Sequence, residues 1–413
     1  NKIRGCLQKI LSKTIWRTKL KIANSIIKGL PVFAFDEIDT MFNSLKAKGI
    51  TPIDFGIGDP KDPTPSFIRE AAKRSIDENA GRGYPIYNGT KEYRFAVSQW
   101  IKKRFSVDID PDKEICTAIG AKELIFNLSN AFVEPEDYII MPNPGYPPYL
   151  KGALFSRAIP YFLDLKKENN FLPDLDSIPK DVIKKTKILW LNYPNNPTAG
   201  TATIDFLKRA VEFCNKNNIV VINDECYSEI YYENEFKPHS ILEVSKKGVL
   251  SINSMSKRSL MTGWRIAWVA GDNELIDTIK KLKTNIDSGP PYFVQDAAIT
   301  ALKDEVHVEE NRKRLKQRRD VLVEAFTSVG FEDCTPRGTF YIWQKLPDGI
   351  KGIDLCKKLL EPEYGIVVTP GSFLTETINN KNIGDNYLRM ALVPSIEECK
   401  VAAKKIAEAV KKL

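Results

Sequence analysis

This 413-residue chain has no long apolar stretch. Its longest runs, such as 219–222 and 266–270, fall far short of the about 18 residues that cross a bilayer, so a soluble protein without a membrane partner is expected. Histidine is nearly absent. His239 and His307 are too few and too distant to build a zinc site with the cysteines, or to supply a Ser–His or Cys–His triad. No metal is expected, and any catalytic base should be something other than histidine. The seven cysteines lie far apart, odd in number and without a Cys-x-x-Cys pair, which argues against a disulfide framework. Low-complexity tracts and internal repeats are also missing. Acidic residues are absent from positions 1–30, which carry eight basic ones, leaving 53 basic against 53 acidic in the remainder. The net charge of +8 therefore belongs to an N-terminal arm, and a nucleic-acid partner is not expected for the neutral body.

Apolar positions in the arm (Ile3, Leu7, Ile10, Leu11, Ile15) suit an amphipathic helix ending before Pro31, packed on the body or on a partner subunit. The same acid-free pattern also fits an organelle presequence or a membrane-surface helix. The chain as a whole has the composition of a folded globular protein, with 43% apolar and 28% charged residues. Short, almost continuously apolar runs at 114–119, 138–141, 188–191, 219–222, 249–252 and 265–270 alternate with segments of helical period. Runs of that length and texture are strands buried on both faces, and the alternation predicts an α/β fold around a mainly parallel mixed sheet flanked by helices. Beyond residue 300 come a basic helix over 311–326, short strands near 340–343 and 366–368, and a final helix from Ser395 whose packed face would carry Val401, Ile406 and Val410. Four parts are expected: the arm 1–30, a first piece of a smaller α/β domain at 31–60, a large domain over 61–300, and the rest of the small domain at 301–413.

Polar and small residues cluster just after the apolar runs, where ligands bind in open α/β sheets. Gly120-Ala121-Lys122-Glu123 follows one strand and opens a helix, a common turn that can also hold an anion on free N–H groups. Asn192-Tyr193-Pro194-Asn195-Asn196 follows another, Asp224-Glu225-Cys226-Tyr227 a third, and Ser254-Met255-Ser256-Lys257 a fourth, with Arg265 eight residues on. Singly these are an Asn-Pro turn, a strand-end acid and a lysine. Jointly they are what a pyridine aldehyde phosphate needs: a lysine for a Schiff base, an acid for the ring nitrogen, and donors for the phenolic oxygen and phosphate.

In this ordered set the chain resembles, from about residue 31 to its end, the class I/II aminotransferases of the aspartate aminotransferase fold, which use pyridoxal 5'-phosphate. The resemblance implies that Lys257 bonds the cofactor and Asp224 keeps its pyridine nitrogen protonated. It makes Tyr227 and Asn196 donors to the ring oxygen, and Tyr146 of Asn143-Pro144-Gly145-Tyr146 the aromatic stacked on the ring. The phosphate would be held by the backbone of Ala121 and Lys122, the hydroxyls of Ser254 and Ser256, and Arg265, with Tyr84 supplied by the other subunit of a homodimer whose active sites are shared. Arg389 would fork onto the substrate α-carboxylate, with Gly58 and Asn196 beside it.

Within the family, Gly56-Ile57-Gly58-Asp59-Pro60, Leu191-Asn192-Tyr193-Pro194-Asn195-Asn196-Pro197 and Lys237-Pro238-His239-Ser240 are most similar to the LL-diaminopimelate aminotransferases. That resemblance implies transfer between LL-diaminopimelate and 2-oxoglutarate for lysine biosynthesis, in the cytoplasm. An alanine, aspartate or aromatic aminotransferase of the same branch, or a regulator that keeps the fold without transaminating, are the alternatives. Residues 272–300 hold no arginine, whereas the vertebrate-type aspartate enzymes place a distal-carboxylate arginine there, which counts against the aspartate subtype. Polar candidates for the far end of the pocket are Asn88, Lys91, Glu92, Asn285, Ser288 and Arg337.

Overall fold

The computed structural model describes residues 23–29 and 36–412. The chain divides into two compact units, Asn1–Ala34 and Phe35–Leu413. In the first, a short helix spans Ser25–Gly29, and the Asn24 side chain accepts from the Ile27 N–H at 2.9 Å, satisfying a free donor of its first turn. The rest of the basic arm lies outside the described residues.

In the second unit the strands are β1 (Ile53–Asp54), β2 (Ile115–Ala118), β3 (Tyr138–Asn143), β4 (Ile159–Asp164), β5 (Thr186–Asn192), β6 (Val220–Asp224), β7 (Val249–Ser254), β8 (Ala267–Gly271), β9 (Tyr341–Lys345), β10 (Ile366–Val367), β11 (Thr369–Pro370) and β12 (Tyr387–Ala391). A seven-stranded sheet runs in the order β2-β8-β7-β6-β5-β3-β4, parallel from β7 through β4 and antiparallel on both sides of β8. All six apolar runs of the sequence are in it. Alternate residues feed two cores: Leu189, Leu191, Val221 and Val249 face one side, and Ile188, Trp190, Ile222 and Ile252 face the other. A strand covered on both faces has no polar side to show, which is why these segments read as unbroken apolar runs. β4 escapes that signature because it is an edge strand, mostly half-exposed and carrying Pro160.

A third core gathers β9, β12 and the helices Val306–Thr327, Gly352–Leu359 and Ile396–Val410. β1 joins it by pairing in parallel with β10, Ile53 against Ile366. The last helix opens with a capping box between Ser395 and Glu398, as its sequence invites. Its buried stripe is Cys399, Ala402, Ile406 and Ala409, with Val410 packed against the same core, so of the expected face Val401 alone is corrected, at 48% exposed. Among the described residues no helix is long and apolar enough to cross a membrane.

The pairing of β7 with β8 leaves no room at Gly271, where a Cβ would overlap the carbonyl oxygen of Val249. Gly271→Ala is expected to lower the unfolding free energy by about 1–3 kcal/mol, and an unchanged urea midpoint would contradict this packing.

Candidate active site

Three neighbouring strand ends supply the first groups. Asn192 ends β5 and pairs in register with Asp224 at the end of β6, and Ser254 ends β7 alongside. Asp224 is 5% exposed. Its Oδ2 accepts from the Tyr149 hydroxyl at 2.9 Å and its Oδ1 from the Cys226 N–H at 3.2 Å. Burial pushes this carboxyl above the usual range, while the hydrogen bonds from Cys226 and Tyr149 pull it back down. A carboxylate held there needs a cation to offset its lost hydration, and a protonated pyridine nitrogen is such a partner.

Tyr149 was not singled out by the sequence. Its ring stacks on Trp190 with centroids 4.7 Å apart and meets the edge of Tyr146 at 5.9 Å. The available signal was its spacing, three residues after Tyr146 and therefore one helical turn along. Tyr146 itself flanks the acid, and its hydroxyl is raised by burial and then by the charge of Asp224.

Lys257 follows β7 in the helical turn Met255–Arg258, capped by the Ser254 hydroxyl, which accepts from the Ser256 N–H at 3.1 Å. Its Nζ donates to the Gly58 carbonyl at 2.7 Å and lies 5.3 Å from the centre of the Phe340 ring. Burial, reinforced by Arg265 and Arg389 and opposed by Asp59, brings the ammonium down to about 8. An amine so poised is a nucleophile and proton carrier near neutral pH, as chemistry without histidine requires.

Gly120, at φ 81°, turns the chain into the helix Ala121–Phe132, whose first N–H groups are free of intrahelical partners. A Cβ on Gly120 would overlap the guanidinium of Arg265, so that cation lies directly against the helix start. Arg265 is oriented by donating Nη1 to the Thr262 carbonyl at 2.7 Å. The Ser254 hydroxyl lies 3.0 Å from that of Ser256 and donates to the carbonyl of Ile266, the residue after Arg265, at 3.2 Å. A helix N-terminus, a guanidinium and two hydroxyls are a donor set that can hold a phosphate dianion. Lys122 lies in the first helical turn with its side chain exposed.

On the opposite side, Arg389 in β12 is 8% exposed. It donates Nη1 to Asn196 Oδ1 at 3.2 Å, and Nη2 to the Gly56 carbonyl at 2.7 Å and Thr369 Oγ1 at 3.5 Å. These partners are all neutral, and the buried Nε–H has none among the described residues. The arginine is thus oriented while its charge stays available to a carboxylate. Asn196 is held by its own N–H, which donates to Asn192 Oδ1 at 2.9 Å.

Tyr227 meets the hydroxyl of Tyr341 at 3.2 Å. Tyr341 is the second residue the sequence left unmarked, since an aromatic in a strand carries no sign of facing a site. Tyr84 stands 88% exposed, apart from this cluster. Of the distal candidates, Lys91, Glu92 and Ser288 are exposed, Asn285 donates to the Lys281 carbonyl, and Arg337 lies over Phe236.

The donor set fits pyridoxal phosphate: an anion cradle, a buried acid, a phenol and an amide for the ring oxygen, and a lysine of lowered basicity. Capture of pyridoxal phosphate by the apoprotein should accelerate as pH rises through about 8, where the Lys257 amine loses its proton, and then level off. Stopped-flow absorbance checks this, and a rate still climbing well beyond that pH would refute it. Tyr149→Phe removes a donor that favours the ionised acid, so the acidic limb of the kcat/KM profile should move up by about one pH unit.

Comparison with known proteins agrees with this geometry. A family model described as "Aminotransferase class I and II" matches residues 50–406. The chain is 43% identical over 383 residues to an LL-diaminopimelate aminotransferase of Aquifex aeolicus, covering 92% of this chain and 97% of the relative. It is 38% identical to one from Natranaerobius thermophilus, covering 92% and 98%. Among solved structures, an aminotransferase from Neisseria meningitidis superposes with a TM-score of 0.86 at 31% identity, covering 94% of this chain and 99% of that one. A probable N-succinyldiaminopimelate aminotransferase from Thermus thermophilus gives 0.84 at 28%, covering 91% and 99%. With its phosphate cradle, buried acid and lysine on the fold those proteins share, the chain belongs to the class I and II aminotransferases, which depend on pyridoxal phosphate.

Proposed function

We propose that this aminotransferase moves an amino group between LL-diaminopimelate and 2-oxoglutarate in lysine biosynthesis, as a cytoplasmic homodimer with shared active sites. The substrate pair is supported by relatives at 38–43% identity over nearly their whole length that carry that name. The single observation that carries the chemistry is Lys257, a buried amine whose Nζ donates to the Gly58 carbonyl at 2.7 Å and whose basicity burial brings down to about 8. When bound, the cofactor supplies a carbonyl carbon that bonds the amino nitrogen and a ring that accepts the electron pair left when Cα loses its proton.

The chain's own groups do the rest. Asp224 holds the ring nitrogen charged, so that electron density is drawn inward. Tyr227 and Asn196 donate to the ring oxygen, and Tyr146 covers a ring face. Arg265, Ser254, Ser256 and the N–H groups of Ala121 and Lys122 anchor the phosphate. Arg389 receives the substrate α-carboxylate beside Gly58, presenting the Cα proton to Lys257, whose neutral amine carries it between Cα and the cofactor. Tyr84 of the partner subunit completes the phosphate donors, a role supported by its exposure, which leaves the side chain available to a second copy of the chain. The division into a large domain over 61–300 and a small one built from 31–60 and 301–413 is supported by the separate core around β9 and β12 and by the pairing of β1 with β10.

Single-turnover mixing should show LL-diaminopimelate and glutamate aminating the cofactor, while alanine, aspartate and phenylalanine do not; conversion by one of those three would replace the substrate assignment. Lys257→Ala should abolish turnover without unfolding the chain, and Arg389→Lys should raise KM by about tenfold, because a point charge cannot replace the fork. Mixed dimers of Tyr84→Ala and Lys257→Ala chains should exceed either parent in activity, whereas no recovery would argue against shared sites.

A further inference from the structure

One side chain touches both halves of the site without being part of either. Tyr341, 3% exposed in β9, points its hydroxyl at that of Tyr227, 3.2 Å away. Its ring lies under the guanidinium of Arg389, 4.7 Å from the centroid. It also closes the site from below Gly58, where a Cβ would overlap the Tyr341 hydroxyl and ring. Its own backbone is held by the N–H donating to Thr339 Oγ1 at 3.1 Å, and its ring packs at 4.7 Å against Phe340, the ring beneath Lys257.

A phenol has one proton. If Tyr227 gives its proton to the cofactor's ring oxygen, the contact between the two hydroxyls can be made only by Tyr341 donating to Tyr227. A hydroxyl that accepts one hydrogen bond donates the next more strongly. The face of the same ring meanwhile stabilises the Arg389 cation and limits its swing, and the lost area of a shorter side chain would let it move. We infer that Tyr341 is a positioning residue with two separable functions: its hydroxyl strengthens the Tyr227 donor, and its ring holds Arg389 in line for the substrate carboxylate. This inference rests on the proposed roles of Tyr227 and Arg389. It also accounts for the glycine at position 58, since that close approach excludes any side chain.

The two functions separate by substitution. In Tyr341→Phe the ring stays and the hydroxyl goes. The weaker Tyr227 donor then stabilises the anionic ring oxygen less, so the pH midpoint of the bound cofactor's absorbance change should rise by about half a unit. KM for the amino donor should stay within about twofold, because the ring still supports Arg389. In Tyr341→Leu both are lost, and KM should also rise about fivefold. A Tyr341→Phe midpoint equal to that of the unaltered protein overturns the first function, and an unchanged KM in Tyr341→Leu overturns the second. Near-ultraviolet circular dichroism and cofactor affinity of both variants distinguish these effects from misfolding, with Tyr341→Phe the milder change. Lys257→Ala in the same titration serves as the control for the site itself: if it keeps the pH-dependent absorbance, the site assignment fails, whereas its loss with an unaltered Tyr341→Phe refutes only the role of Tyr341.

Discussion

The structure turns on a carboxylate that its surroundings do not favour. Asp224 ends the central strand β6 inside the protein, with the Tyr149 phenol and the backbone N–H and thiol of Cys226 as its donors. Burial pushes its carboxyl above the usual range, and an ion at that depth is costly until a cation meets it. Sheet order places it between the ends of β5 and β7, so the groups that must surround a ring bound to it come from those same strand ends. Tyr149, stacked on Trp190 of β5, belongs to this arrangement as a hydrogen-bond donor that packing alone would not have required.

Charge is distributed around the lysine in a consistent way. Arg265 at the helix start and Arg389 in β12 are cations that both disfavour the protonated form of Lys257. The chain thus prepares positive potential where the proposed function would seat two anions, a phosphate and a carboxylate, and the same potential makes the lysine a usable amine. A chain with two histidines can run proton transfer at neutral pH by this route.

Arg389 sits on a strand of the smaller antiparallel sheet, while Asp224 and Lys257 follow strands of the large one. Contacts across this boundary are specific: Lys257 to the Gly58 carbonyl, Arg389 to Asn196, Tyr227 to Tyr341. Tyr227 even joins the core around β9 and β12 as a packed side chain. In the proposed function, the substrate carboxylate would be received by one layer of the molecule and its Cα chemistry performed by another.

Much of this was legible in the chain. Strands buried on both faces leave continuous apolar runs, and the order of Gly120, Asn196, Asp224, Tyr227, Lys257, Arg265 and Arg389 suggests the proposed chemistry because each role in it demands a distinct functional group. β4 was not legible, since a half-exposed edge strand has neither an apolar run nor a clean alternation. Nor were Tyr149 and Tyr341, because an aromatic that packs and one that also donates a hydrogen bond are spelled identically. By itself the sequence determined the fold class and the kinds of groups available, which depend on local pattern and side-chain chemistry. Only the tertiary structure decided which phenol donates to which acid, how far the lysine's basicity falls, and why position 58 must lack a side chain, because these follow from distances and burial among residues far apart in the chain, as Lys257 and Gly58 are at 199 positions.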